Sequence, residues 1–395
     1  MKKFVFSLLL LFLLSFSIFA QKLSVSIFNN VKLSTILVTP TKGEYNLVLG
    51  DTIIGLKPLQ ILYISRSGDS ILVRDEFNNY GNFKRVTLVG KTGNDVFRIK
   101  PIIPAQAARM YDDNITFYVD YDRVMAINLV DREKYLASVV LAETGPNKEE
   151  ELYKAQALLA RTYTVSHANK HQSEGFNLCD TEHCQAYKGR VENIDYIYDA
   201  VLDVKDLIVV DADLKPITAA FHANCGGQTA NSEDVWVQAL PYLKSVPDRF
   251  CTSSSNARWE KRIPLSRWYK FLSEQGVDTS KITRSDLNFN PKNRPKYYTV
   301  KGTKILTTTV RKYFKLKSAW FSVYAGKKEV RLSGRGYGHG VGMCQDGALQ
   351  MARKGMSYEE IVKYYFKGVQ IVNISKANIS TQTDSLKVEP SSVVK

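Results

Sequence analysis

Tyr135-Leu136-Ala137-Ser138-Val139-Val140-Leu141-Ala142-Glu143-Thr144-Gly145-Pro146 is the stretch on which the fold turns. Leu136, Val139 and Val140 recur at helical spacing, and Glu143 falls on the same stripe. Gly145-Pro146 stops the helix directly after that glutamate. The carboxylate is therefore expected to face the core at the negative end of a helix dipole. Desolvation and dipole both disfavour its anion, and a raised pKa suits a general acid working near neutrality. The spacing fits equally an ordinary last-turn glutamate frayed into solvent. Just upstream, Ile115 to Asp120 and Val124 to Leu129 read as strands, so a strand pattern gives way here to a helical one and the class is α+β.

Working outward, residues 21–114 hold short β-branched and aromatic runs such as Leu23 to Phe28, Tyr45 to Leu49 and Arg85 to Val89, separated by turn signals. They predict a small all-β module ahead of a mixed domain over 115–375. Residues 376–395 are rich in Ser, Thr and Lys without periodicity and predict a disordered tail. The chain of 395 residues is 44% apolar and 24% charged, which excludes wholesale disorder and a polytopic membrane protein. Lys plus Arg number 54 against 39 acids, a net charge of +15, which favours an anionic partner. Lys2 and Lys3 precede an uncharged run from Phe4 to Ala20, so residues 1–20 read as a secretory signal. Export to the periplasm, the wall or the medium argues against nucleic acid; a membrane enters only if that segment is retained as an anchor.

A second helix follows the first. Asn147 is its expected cap, with Glu150 completing a capping box, and Leu152, Ala155, Leu159 and Tyr163 form its buried stripe. Arg161 and Thr162 lie off that stripe, and Arg161 reads equally as a solvated surface charge. Beyond it stand His167, His171, Cys179, His183 and Cys184. Two thiolates and two imidazoles make a tetrahedral zinc set, and a Cys179–Cys184 disulfide fits the same spacing in an oxidising compartment. Leu214 to Ala223 reads as a strand carrying His222 toward Cys225-Gly226-Gly227, and Cys225 is free to pair with Cys251. From Gly334 to Gly342 glycine recurs at every second position. In an extended strand this leaves one bare face for close approach, with Arg335, Tyr337 and His339 on the other. Cys344-Gln345-Asp346-Gly347 then opens a helix, and Ser357 with Glu360 caps another.

Four blocks in order resemble the sporulation stage II protein D and amidase-enhancer (SpoIID/LytB) family: Tyr135 to Glu143, Lys154 to Tyr163, Asp180 to Tyr187, and Gly334 to Ala348. His222 to Thr229 with Pro241-Tyr242-Leu243 is similar to its intervening block, and the likeness spans roughly 115–370. The resemblance implies an exported peptidoglycan lytic transglycosylase that cuts between N-acetylmuramic acid and N-acetylglucosamine and leaves a 1,6-anhydro end, with Glu143 as its single acid and base. It raises zinc above the disulfide, with Cys179, His183, Cys184 and His171 as ligands of a structural ion. It carries over Arg161, Tyr163, Gln185, Tyr187, His222 and His339 as residues lining a glycan groove, which the positive charge would suit. The chain departs from the family in having Thr144-Gly145-Pro146 where Met-Pro is usual, and Cys344 where serine is common. The alternative is a non-catalytic wall-binding protein that enhances an N-acetylmuramoyl-L-alanine amidase; a zinc hydrolase of stem peptides is a third class.

Overall fold

The structure, a computed structural model, describes residues 22–147, 149–192 and 195–379. The expected signal segment and residues 380–395 of the expected tail lie outside the described residues. The start of that tail is ordered. Ile374–Lys376 closes a 3-10 turn, and Asn378 donates to the carbonyls of Leu214 and Asp213 at 2.8 and 2.7 Å.

Alternating runs form strands because one face of each finds a core. Tyr45, Leu47 and Leu49 are buried along Tyr45–Leu49 while the residues between them are half-exposed. One seven-stranded sheet runs in the order Leu178–Cys179, Lys22–Ser26, Arg123–Asp131, Asn114–Asp120, Arg85–Gly90, Tyr45–Leu49, Thr52–Leu56. A six-stranded sheet built from residues 35–112 packs on the same core.

The expected break between 114 and 115 is not a boundary in space. Ile115 pairs with Leu88, and Val25 with Asn128. A change in hydrophobic period marks where strands give way to helices; it does not mark where contacts cease. The all-β N-terminal region is thus welded to the mixed region by shared strands and a shared core.

Helix α1 (Arg132–Thr144) is started by Asp131, whose carboxylate accepts from the amides of Glu133 and Lys134. α2 (Glu150–Ser166) and α3 (Asp195–Asp203) pack beside it. A short α4 (Ser232–Val235) precedes a unit that the sequence reading did not separate. There α5 (Leu265–Glu274) and α6 (Thr307–Phe314) cover the sheet Arg258–Pro264, Glu329–Arg335, Phe321–Ala325 around a second core that includes Trp268, Phe271, Tyr298 and Phe314. α7 (Gln345–Arg353) and α8 (Tyr358–Tyr365) return to the first core, α8 opened by the expected Ser357–Glu360 capping box.

Arg161, which reads equally as a solvated surface charge, is fully buried, and so is Thr162 beside it. α2 is enclosed by α1 on one side, α3 on another and α8 on a third, so no face of its middle turns remains wet. Arg161 Nη2 meets Glu133 Oε2 at 2.5 Å, and the guanidinium donates to the carbonyls of Val204 and Val201 at 2.7 and 3.0 Å. Thr162 donates to Leu158 and accepts from the amide of Val209. Breaking a buried pair leaves one uncompensated charge. Arg161→Ala is expected to lower stability by about 3–5 kcal/mol in denaturant titrations, and Arg161→Met with Glu133→Leu to recover most of that loss.

Candidate functional site

Leu136, Val139 and Val140 are fully buried as their stripe predicts, and the helix ends where that stripe runs out of core. Glu143, one turn past Val139 and Val140, is half-buried and lines a pocket of about 190 Å³. Gly145 closes α1 with φ of 70°, its amide donating to Leu141, and Thr144 Oγ1 donates back to the carbonyl of Val140 at 2.7 Å. Asn147 is not the cap of α2, whose N-cap position is Glu149 with no side-chain cap bond. Instead Asn147 Nδ2 donates to the carbonyl of Thr144 at 3.1 Å, and its amide donates to the Tyr153 hydroxyl at 2.7 Å. The Tyr153 hydroxyl in turn donates to the carbonyl of Gly145. These bonds satisfy the exposed end of α1 and hold the turn that carries Glu143.

The other wall comes from far along the chain. Asn256, Ala223, Gln345, Asp346 and Leu349 complete the pocket with Leu152 and Asn147. Asp346 Oδ2 accepts from Asn224 Nδ2 at 2.9 Å, from Ser254 Oγ at 2.5 Å and from Asn256 Nδ2 at 3.4 Å. Sequence reasoning missed Asp346, Gln345 and Asn256. An Asp in the first turn of a helix reads as a partner of the helix dipole, and only the fold turns it toward Glu143's pocket. Among the described residues lining it, the charged groups are two carboxylates, so the pocket itself is not electropositive.

The glycine run delivers that wall. It is not an extended strand: Glu329–Arg335 ends the strand, and Gly336, Gly338, Gly340 and Gly342 have φ of 77°, 108°, 87° and 72°. The expected bare face is replaced by a curled thread that presses on backbone. A Cβ on Gly336 would strike Asn224 and Cys225, and one on Gly342 the carbonyl of Ala220. Tyr337 and Asn224 exchange backbone hydrogen bonds at 2.8 and 3.0 Å, and Met343–Cys344 pairs with Phe221–His222.

The residues expected to line a glycan groove are not gathered at Glu143. Arg161 serves the buried ion pair described above. Gln185 is buried, its Oε1 accepting from Tyr135 and Thr164 and its Nε2 donating to Ala160. Tyr187 is buried against Tyr111 and Tyr135 and donates to Asn128 at 2.7 Å. These three are corrections, since aromatic and polar side chains of a motif block serve here as interior struts. Tyr163 stacks on His167 and meets Lys170. His222 and His339 sit together by the glycine thread, ring centres 5.4 Å apart.

His171, Cys179, His183 and Cys184 do come together, their ligand atoms all within 4.8 Å of one another. His171 Nε2 lies 3.3 Å from Cys184 Sγ, and His183 Nδ1 lies 3.8 Å from Cys179 Sγ. His171 Nδ1 is 2.5 Å from Glu174 Oε1, which fixes the tautomer that turns Nε2 inward. Asp180 pins the loop by accepting from the amides of Phe28 and Asn29 and from Arg109. Gln185 bonds Tyr135 near the start of α1, whereas Glu143 stands eight residues on, about 12 Å along the axis.

Burial, reinforced by the charge of Arg311, pushes the His339 imidazole down to about 4. Its Nε2 donates to the carbonyl of Phe221 at 2.9 Å and its Nδ1 accepts from the amide of Val341 at 3.1 Å, a neutral tautomer. Burial also drives His222 well below its ordinary range. The folded value lies below the ordinary 6.5, so between 6.5 and about 4 the unfolded chain holds the extra proton. Stability is expected to fall as pH drops through that window. In NMR titrations the His339 ring should stay neutral down to pH of about 5.

The family described as Stage II sporulation protein matches residues 120–210. Stage II sporulation protein D of Bacillus subtilis is 31% identical over 254 residues, covering 60% of this chain and 74% of that protein. An uncharacterized protein of Brachyspira hyodysenteriae is 28% identical over 279 residues, 69% of this chain and 75% of its own length. The amidase enhancer of Bacillus subtilis is 26% identical over 291 residues, 60% of this chain and 40% of that protein.

Proposed function

The chain belongs to the SpoIID/LytB family, whose work is cell-wall remodelling, and from that premise we propose that it is a peptidoglycan lytic transglycosylase with Glu143 as its acid and base. The observation that carries this reading is the placement of Glu143, at the end of an otherwise buried helical stripe and opening into a pocket.

The Glu143 carboxyl protonates the glycosidic oxygen as the bond from the muramic C1 breaks, releasing the 4-hydroxyl of N-acetylglucosamine. The muramic C6 hydroxyl closes on C1, and its proton returns to the Glu143 carboxylate. No water is consumed, and one carboxyl group suffices because the nucleophile is already tethered to the reacting ring. An ordinary glycosidase needs a second carboxyl group to activate water or form a covalent intermediate. Asp346 supplies a fixed negative charge in the same pocket, held by Asn224, Ser254 and Asn256, which favours an oxocarbenium-like centre.

His171, Cys179, His183 and Cys184 are proposed to hold a structural zinc. The donor set and its spacing fit a tetrahedral ion, and four protein ligands leave no open position for water. Its part is to hold the loop from Cys179 to Tyr187 against α1 and α2. Removing the ion is expected to make residues 167–187 susceptible to limited proteolysis before the rest of the chain. Uncleaved loop after complete chelation would remove the structural role.

The relationship to an amidase enhancer favours a second reading, in which the chain binds wall glycan and stimulates an amidase without cutting. Digestion of purified wall glycan separates the two. Wild type is expected to yield 1,6-anhydro-muramic ends by mass spectrometry, and Glu143→Gln to lower the yield by about 100-fold or more. Equal yields from both would sink the catalytic role of Glu143. Stimulation of an added amidase with no anhydro product from either would establish the enhancer reading.

A further inference from the structure

Cys225, Asp248, Cys251 and Cys344 come from segments spread over more than a hundred residues, and each is buried with 0% exposure. One ligand atom from each lies within 4.8 Å of all the others. Cys225 Sγ is 3.3 Å from Cys251 Sγ and 3.2 Å from Asp248 Oδ2. The Cys344 sulfur lies within that same 4.8 Å of both other sulfurs and of an Asp248 carboxylate oxygen. A tetrahedron with metal–sulfur bonds of about 2.3 Å has sulfurs about 3.8 Å apart, so the group is near the size of a coordination shell. We propose that Cys225, Cys251, Cys344 and Asp248 form a second metal site that binds a soft tetrahedral divalent cation, zinc foremost.

Three features of the surroundings suit thiolates bound to a cation better than neutral thiols. Backbone amides are aimed at sulfur: those of Cys225 and Gly347 donate to Cys344 Sγ at 3.2 and 3.4 Å. Such N–H groups stabilise negative sulfur, as the outer shell of a metal site does. The carboxylate is oriented from behind: Asp248 Oδ2 accepts from Tyr365 at 2.9 Å, and Oδ1 from the amide of Phe250 at 2.9 Å. A cation is also at hand to offset the charge. Three thiolates and a carboxylate around a divalent ion leave two negative charges, and Arg294 donates to the carbonyl of Cys225 at 2.6 Å while its Nη1 is buried without an acceptor among the described residues. Binding releases the three thiol protons to solvent, so charge and atoms balance.

The position gives the ion a task. Ala223 and Asp346, which line the Glu143 pocket, lie two residues from Cys225 and Cys344. Cys344 caps α7 and pairs beside His222. A metal here clamps the strand Phe221–His222, the turn at Cys251 and the start of α7 into one wall, independently of what Glu143 does chemically. It is a different site from the His171 set, sharing no residue with it.

Metal content of the full chain, purified with zinc and then exchanged to Co(II), tests this. Wild type is expected to carry two equivalents, with the visible bands of tetrahedral cobalt–thiolate coordination. His183→Ala and Cys344→Ser should each carry one, and the double variant none. The cobalt bands left in His183→Ala should carry the intensity of three sulfurs. Wild type holding a single equivalent that Cys344→Ser retains and His183→Ala loses would overturn the site. So would Cys344→Ser retaining both equivalents, or a Cys225–Cys251 crosslink seen as a 2 Da mass loss in freshly isolated protein.

Discussion

The buried pair between Arg161 and Glu133 is the constraint on which the rest of the site depends. A guanidinium with no exposed surface sits among three helices, and its obligations to Glu133, Val201 and Val204 can be met only when α1, α2 and the end of α3 take one arrangement. Glu133 is itself shared, bonding Arg132, which reaches on to Asp206. Such a network contributes little net energy over an apolar core, but it penalises every misregistered packing of the helices. Glu133 sits in the first turn of α1 and Glu143 in the last. The network thereby fixes the direction in which the helix end, and its carboxylate, projects.

What the sequence disclosed followed local rules. The stripe of Leu136, Val139 and Val140, the stop at Gly145, and the Ser357–Glu360 box each depend on residues within one or two turns, and the structure holds all of them. Arg161 was not legible, because its burial comes from α3 and α8 closing over α2, and no window of neighbouring residues contains that information. Asp346 was hidden for the same reason. The glycine run was legible as close approach and illegible as shape: alternation shows that side chains are excluded, while the sign of φ is set by the partner backbone at 220–226.

The five cysteines divide along the two walls of the helical region. Cys179 and Cys184 gather with histidines beside the first half of α1, so the proposed zinc would brace the end of the helix away from Glu143. Cys225, Cys251 and Cys344 gather beneath the opposite wall, two residues from the groups that face Glu143. Close backbone approach explains why the second wall needs bracing. At every second position the thread from Gly336 to Gly342 has no side chain to interlock, so its hold on 220–230 rests on single backbone bridges and on His339 and His222, whose rings bond the carbonyls of Phe221 and Val341. The proposed metal at Cys344, where the thread becomes α7, would supply rigidity at the point where the glycines supply none.

Charge and pocket size together define how a glycan would meet this surface. For the proposed wall substrate, the net charge of +15 would favour the approach of a polyanionic strand, whereas the pocket presents two carboxyl groups to whatever arrives. These opposite signs suit different distances. An anionic polymer is attracted by the whole molecule, and its neutral glycosidic linkage, not its lactyl or peptide carboxylates, is the part that tolerates the acidic pocket. At about 190 Å³ the pocket is smaller than the cavities that enclose a drug-sized ligand, so a strand must lie across it with most of its length outside. In the proposed reaction, specificity for the linkage would then rest on a short stretch of contact around Glu143 and Asp346, and the basic exterior would govern the rate of encounter.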